Sequence, residues 1–390
     1  LVTTLPAFEF ATATRIVFGA GKLSEVPALL AELGAQRVLF VTGRDPARSS
    51  ALEATLRSSA TGLLTLRVSG EPTVDWVRDS LVKVREVHSE AVVAFGGGSV
   101  IDAAKALAAL AANGGDPLDY LEVIGRGQPL VKPSLPLIAI PTTAGTGAEV
   151  TRNAVLGSTQ ERVKASLRSP LMLPRIALID PDLLAGAPPE VLRSSGLDAL
   201  SQLIEPFLSS RANPISDGLA REGIARSARS LRRAVLGEAD ASAREDLAVA
   251  SLFGGLCLAN SGLGAVHGFA APAGGMFHAP HGAVCAALLP HAMDVNLKAL
   301  TARDTSGRGV ARFHELSRLL SAETAADGAG AVEWVATLCR ELAVPGLSAY
   351  GMNASDIPAL VAKAKVASSM RANPIALTDA ELTEIAERSL

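Results

Sequence analysis

No aspartate, glutamate, lysine or arginine occurs between Leu247 and Met293. A run that long without a formal charge is expected to be buried, because the surface of a soluble protein needs charged side chains to stay solvated. It does not read as a membrane span. Gly254, Gly255, Gly262, Gly264, Pro272, Gly274, Gly275 and Pro280 interrupt it, and no clean window of about 20 apolar residues survives. Aromatic residues are scarce, at 4% against 48% hydrophobic, so the core is mostly Ala, Leu and Val, which suits packed helices. Cysteine is limited to Cys257, Cys285 and Cys339, all in apolar settings. So few, and an odd number, argues against a disulfide framework and for buried thiols in a reducing compartment. A net charge of −3 argues against a nucleic-acid surface or a polybasic membrane contact. The start, LVTTLPAFEF, lacks a charged segment ahead of an apolar one, so no signal peptide is predicted and a cytoplasmic protein is the expectation.

What is present suggests two domains, for which 390 residues give room. Short apolar runs at Arg15 to Phe18, Arg37 to Gly43, Leu63 to Gly70, Ala91 to Phe95 and Leu135 to Ile140 read as strands, with helical patterns such as Val74 to His88 between them. That alternation predicts an α/β domain over residues 1–184, with a mostly parallel sheet and helices on both faces. From Pro189 onward the pattern is helical almost throughout, NPISDGLAREGIARSARSLRRAV being a clear amphipathic case, and polar, exposed helices are expected after Leu289. Residues 185–390 are therefore expected to form an all-α domain.

Two loops follow strands directly. Gly96, Gly97, Gly98 and Ser99 come after one, and Thr142, Thr143 and Thr146 lie in the next. Glycines let main-chain N–H groups approach a diphosphate, and the helix that follows turns its positive end towards the anion. The loops point to a nucleotide, although Ile101 stands where the GxGxxG fingerprint would have its third glycine. In the second half, His267, His278 and His281 lie in the charge-free run, and buried imidazoles need partners. Asp198 and Gln202, four apart, share a helix face. One carboxylate and two imidazoles converging across helices would suit a catalytic divalent ion.

The motifs GGGSVIDAAKALA, PTTAGTGAEVT, the run from Lys164 to Pro174, GLDAL at Gly196, GLGAVHG and APHG occur in one order from about Thr14 to the C-terminus. In this the chain resembles the iron-containing (group III) alcohol dehydrogenases, close to their maleylacetate reductase branch. The resemblance implies a dehydroquinate synthase-like architecture: a dinucleotide-binding domain followed by a helical metal domain. It implies hydride transfer between NAD(P) and a small alcohol, aldehyde or oxo compound. It also implies a homodimer in which Arg15 to Phe18 pairs across the interface. The metal, Fe²⁺ or Zn²⁺, would be held by Asp198, His267 and His281. Where the family has a fourth histidine this chain has Gln202, a weaker ligand, and where relatives often carry a histidine near the substrate it has Ala271. Asn153 matches a polar position near the nicotinamide and Lys164 a lysine near the ribose and phosphates. Asp102 and Leu183 complete the expected cofactor contacts.

Two further expectations follow from the resemblance. With Ala271 in place of an imidazole, His278 is the nearest candidate to relay the alcohol proton, beside water or ribose hydroxyls. Many such dehydrogenases end the first long strand in V-T-D, whose carboxylate holds the adenosine ribose. Here Gly43 takes that place, with Arg44 and Arg48 able to pair with a 2′-phosphate, so NADP(H) is expected over NAD(H), while Asp45 argues the other way. The alternatives are a maleylacetate reductase-like oxo-acid reductase, a dehydroquinate synthase-like lyase, and a nucleotide-binding relative without catalysis.

Overall fold

The structure is a computed structural model that describes residues 7–161, 163–237, 240–277, 279–321 and 327–390. Its strands, in chain order, are β1 (Arg15–Phe18), β2 (Arg37–Gly43), β3 (Gly62–Val68), β4 (Ala91–Gly96), β5 (Leu137–Pro141), β6 (Asn153–Ser158), β7 (Val163–Arg168) and β8 (Ile176–Ile179). Six of these form one sheet in the order β1-β8-β5-β4-β2-β3, every pair parallel. The helices of this half are α1 (Val26–Glu32), α2 (Pro46–Ser59), α3 (Val74–Glu86), α4 (Gly98–Asn113) and the short α5 (Pro117–Tyr120).

The side-chain period of two explains why β2 and β4 read as unbroken apolar runs. Leu39, Val41, Val92 and Ala94 point to one face, where Val77 and Leu81 of α3 and Leu107 of α4 cover them. Val38, Phe40, Val93 and Phe95 point to the other, against Leu29 and Leu30 of α1 and Leu52 and Leu56 of α2. The chain runs outward from β2 to β3, then crosses back to lay β4 on the opposite side of β2 and continues to β5. This reversal opens a crevice at the carboxyl ends of β2 and β4, the usual binding position in an open parallel sheet. The expected α/β domain with helices on both faces is present.

Two readings need correction. The segment from Asn153 to Arg168 is an antiparallel hairpin, β6 with β7, Asn153 opposite Arg168. It escaped notice because its connection, Thr159 to Arg162, has no Gly or Asn-Gly turn signal. In the second half, the helices after Leu289 are not merely polar and exposed.

That half contains α6 (Pro189–Leu208), α7 (Pro214–Leu236), α8 (Ala241–Ser261), α9 (Ala265–Phe277), α10 (His281–Arg303), α11 (Arg308–Ser321), α12 (Gly328–Glu341), α13 (Ile357–Val366) and α14 (Asp379–Arg388). Phe313 and Leu316 of α11, Val335 and Leu338 of α12, and Leu382 and Ile385 of α14 all enter the core built on α6. Their polar residues lie on the other face, and at helical spacing one face is enough to bury. The charge-free run supplies most of α8, all of α9 and the start of α10, and is largely buried as expected. Among the described residues no single helix is long and apolar enough to cross a membrane. The apolar pair α8 and α9 is bent by 99° at its break.

The two halves touch main chain to main chain. Gly147, in the loop after β5 with φ of +57°, lies against Gly255 of α8. A Cβ on Gly147 would fall 2.4 Å from the Gly255 Cα, and one on Gly255 would fall 2.5 Å from the Gly147 carbonyl oxygen.

Candidate functional site

The crevice between the halves is lined first by main chain. Gly97 precedes α4, and no side chain caps that helix, so its amino-terminal N–H groups and positive end face the crevice. Thr142 N–H donates to Gly96 O at 3.0 Å, which ties the two loops together. Thr143 lies against Gly97 and Thr146 against Gly98. A Cβ on Gly98 would sit 2.7 Å from Thr146 Oγ1, so only glycine allows this approach. Because Thr42 of β2 is in register with Phe95 of β4, Gly43 emerges beside the same loop. A Cβ built on Gly43 meets nothing within 4 Å. Arg44 and Arg48 are exposed there, and Arg48 donates to the Leu183 carbonyl at 3.4 Å. Asp45 turns away: its carboxylate caps α2 by accepting from Ala47 N–H at 2.9 Å.

Other expected cofactor residues have partners of their own. Asp102 accepts from Val155 N–H at 3.1 Å and faces Lys105 at 3.8 Å. Burial raises its carboxyl above the ordinary range despite Lys105. Lys105 is itself buried and donates to Thr151 Oγ1 at 2.7 Å and to the Asn153 carbonyl at 2.9 Å, fixing the start of β6. Lys164 pairs with Glu71 at 2.7 Å and reaches over Gly274 of α9, so it spans the two halves. Glu149, just after Gly147, is buried, and burial pushes its carboxyl up to about 7.

The second set of atoms belongs to side chains. Asp198 lies in the middle of α6, His267 in the first turn of α9 and His281 at the start of α10. Gly282 lets α10 begin against α6, since a Cβ there would fall 2.4 Å from the Ser194 carbonyl oxygen. His267 Nε2 is 3.4 Å and His281 Nε2 3.7 Å from Asp198 Oδ1. Cys285, one turn along α10, places its Sγ 3.8 Å from His267 Nε2 and 3.7 Å from His281 Nε2. These four donor atoms lie within 4.8 Å of one another. Asp198 is 2% exposed, whereas the His281 side chain is 34% exposed, so the cluster opens on the His281 side.

Glu205 holds this arrangement from behind. It lies seven residues after Asp198, on the same face of α6, and its Oε1 accepts from Val266 N–H at 2.7 Å. A carboxylate at the start of α9 also satisfies the helix end electrostatically. Its Oε2 accepts from His267 Nδ1–H at 2.6 Å, which turns Nε2 towards the cluster.

The charges agree with a site for a cation. Burial opposes charging of both imidazoles, but Cys285, then Glu205 for His267 and Asp198 for His281, outweigh it. His267 is held well above the ordinary imidazole range and His281 is pushed up to about 9. Burial likewise opposes the Asp198 carboxylate, but His281 and His267 bring it below its usual value. Among the described residues, buried Asp198 Oδ1 and Gln202 Oε1 have no hydrogen-bond partner. An unpartnered carboxylate oxygen 3.4 to 3.7 Å from two imidazole nitrogens fits a divalent ion. Asp198, His267 and His281 therefore meet as expected. Gln202 is buried one helical turn from Asp198 and, after the two imidazoles, helps hold that carboxyl low. His278 lies outside the described residues. Ala271 is on α9 as the sequence places it.

Sequence reasoning missed Glu205 and Cys285. Both were within reach of the helical spacing already used, at seven residues after Asp198 and four after His281.

Two family models match this chain. Iron-containing alcohol dehydrogenase covers residues 13–181, and the C-terminal model of the Fe-containing alcohol dehydrogenase family covers residues 193–390. The chain is 33% identical over 386 residues to a 1,3-propanediol dehydrogenase of Citrobacter freundii, covering 97% of each. A crystal structure of a 1,3-propanediol oxidoreductase superposes with a TM-score of 0.88 at 30% identity, covering 99% of this chain and 100% of that one. A sulfoacetaldehyde reductase from Bifidobacterium kashiwanohense, solved in complex with NAD⁺, superposes at 0.85 with 28% identity, covering 98% of this chain and 99% of that one. None of these is a maleylacetate reductase, and they give no support to a place near that branch. The match over both halves, together with the loops and the cluster, makes the chain an oxidoreductase acting on CH–OH groups and a member of the iron-containing alcohol dehydrogenase family.

Proposed function

We propose that the chain is a divalent-metal-dependent, NADP(H)-preferring dehydrogenase that interconverts small alcohols and aldehydes. The observation that carries this reading is the unpartnered Asp198 oxygen facing His267 and His281, in a chain whose Gly96–Ser99 loop opens α4 without a side-chain cap. A bound ion would supply Lewis acidity towards the substrate oxygen, and a bound nicotinamide would donate or accept hydride. The chain's own residues do the rest. Glu205 fixes the tautomer and ring direction of His267. The α4 amino terminus and the Thr142, Thr143 and Thr146 loop bind the diphosphate, with Lys164 supplying positive charge from β7. Asp45 is engaged in capping α2, so the corner at Gly43 presents Arg44 and Arg48 and no free carboxylate to the adenosine ribose. The edge of β1 away from β8 carries no strand among the described residues, which suits pairing with a second copy.

The test is kcat/KM with NADPH and with NADH across a panel of small aldehydes, before and after chelation and metal restoration. We expect activity to require the metal and NADPH to be preferred, with Gly43→Asp moving the preference towards NADH. Full activity after thorough chelation would overturn the metal reading, and equal or better kcat/KM with NADH would overturn the cofactor reading.

A further inference from the structure

We propose that Cys285 is a direct ligand of the divalent ion, completing a donor set of Asp198, His267, His281 and Cys285. The inference rests on the metal-dependent reading above. His281 and Cys285 are one turn apart on α10 and so point the same way. Donors about 2.0–2.3 Å from a tetrahedral ion lie roughly 3.3–3.8 Å from one another. The four contacts that link carboxylate, imidazoles and thiol here are 3.4, 3.7, 3.7 and 3.8 Å. Four of the six edges of a coordination tetrahedron therefore fall within its expected range, and the other two lie within 4.8 Å.

The other two cysteines show what a space-filling thiol does in this core. Cys257 Sγ is directed at the Ser216 carbonyl at 3.3 Å, and Cys339 Sγ at the Ala286 carbonyl at 3.7 Å. Cys285 has imidazole nitrogens as its partners and shares its pocket with the unpartnered Asp198 Oδ1. With the His267 Nδ1 proton committed to Glu205, the atoms that converge are electron-pair donors, and a cation is what such a set accommodates. On binding, the S–H bond breaks, as does the Nε2–H bond of any ligand imidazole that is protonated; these protons leave to solvent and the freed lone pairs pass to the ion. No oxidation occurs. One thiolate and one carboxylate then neutralise a divalent ion, and a set of one sulfur, two nitrogens and one oxygen favours Zn²⁺ over harder cations. The cluster is open on the His281 side, where a substrate could approach it.

The experiment is titration of metal-free protein with Co²⁺, followed by absorption, and with Zn²⁺ against a chelating dye. We expect one Co²⁺ per chain, with thiolate-to-cobalt charge-transfer absorption in the near ultraviolet. Cys285→Ser should lose that absorption and Cys257→Ser should keep it. Loss of an outer partner of a metal ligand weakens binding about 10–100-fold, so Cys285→Ser should weaken Zn²⁺ at or beyond the top of that range. Stoichiometric Co²⁺ without the charge-transfer band, or a band that survives Cys285→Ser, overturns the proposal and leaves the metal-dependent reading standing. Failure to bind Co²⁺ and Zn²⁺ at all overturns both. If Cys285→Ser does not fold, a sulfur shell in the X-ray absorption spectrum of the zinc-loaded parent decides, its presence supporting the proposal and its absence overturning it.

Discussion

In the crevice at the ends of β2, β4 and β5 the binding surface is largely main chain, whereas on α6, α9 and α10 the functional atoms are side chains. The crevice depends on what is missing: a Cβ at Gly98, a carboxylate at Gly43, a cap on α4. The cluster depends on what is present, with Glu205 holding His267 from behind. The two therefore fail differently. A main-chain surface is damaged by adding atoms, and a donor cluster by removing them.

Breaking the cluster should have the largest effect. Asp198→Ala removes the carboxylate between both imidazoles, and elemental analysis should find the metal gone and turnover reduced by more than about 100-fold. NADPH affinity, read by nucleotide fluorescence, should be nearly unchanged; a parallel loss of nucleotide binding would show that the two surfaces are not separable. The reciprocal change is Gly98→Ala, which sets a methyl group 2.7 Å from Thr146 Oγ1. Overpacking of this kind costs about 1–3 kcal/mol, or roughly 5- to 140-fold in NADPH Kd, with metal content retained. The smallest effect concerns Glu149, which lies where the halves meet. Its carboxyl is raised from 4.5 to about 7 by burial, so its contribution to stability is present in full below about 4.5 and is lost as pH rises through about 7. Glu149→Gln should lack that loss. Its Tm should rise by a few degrees relative to the parent between these pH values, and parallel Tm curves would contradict the assignment.

The same contrast explains what could be read from the chain beforehand. The crevice is contiguous in sequence, because a strand followed at once by Gly96, Gly97 and Gly98 is both the signal and the structure. The cluster was legible only in part. Asp198, His267 and His281 stood out because charge and imidazole are rare in apolar surroundings. Cys285 and Glu205 did not. A thiol among Ala and Leu looks like any buried cysteine, and Glu205 shows its purpose only once α9 is seen to begin on it. The β6 and β7 hairpin was hidden for a different reason: four polar residues without glycine can join two strands, but they do not advertise a turn.

The contact between Gly147 and Gly255 has a mechanical consequence. Two backbones in van der Waals contact leave no room for a side chain between them, so the joint resists compression. The Gly147 loop and α8 thus set the smallest spacing the halves can reach, and Thr146, one residue away, rides on that fixed point. Glycine is already the smallest residue, so substitution can only widen the gap. The halves are as close at this joint as their sequence allows.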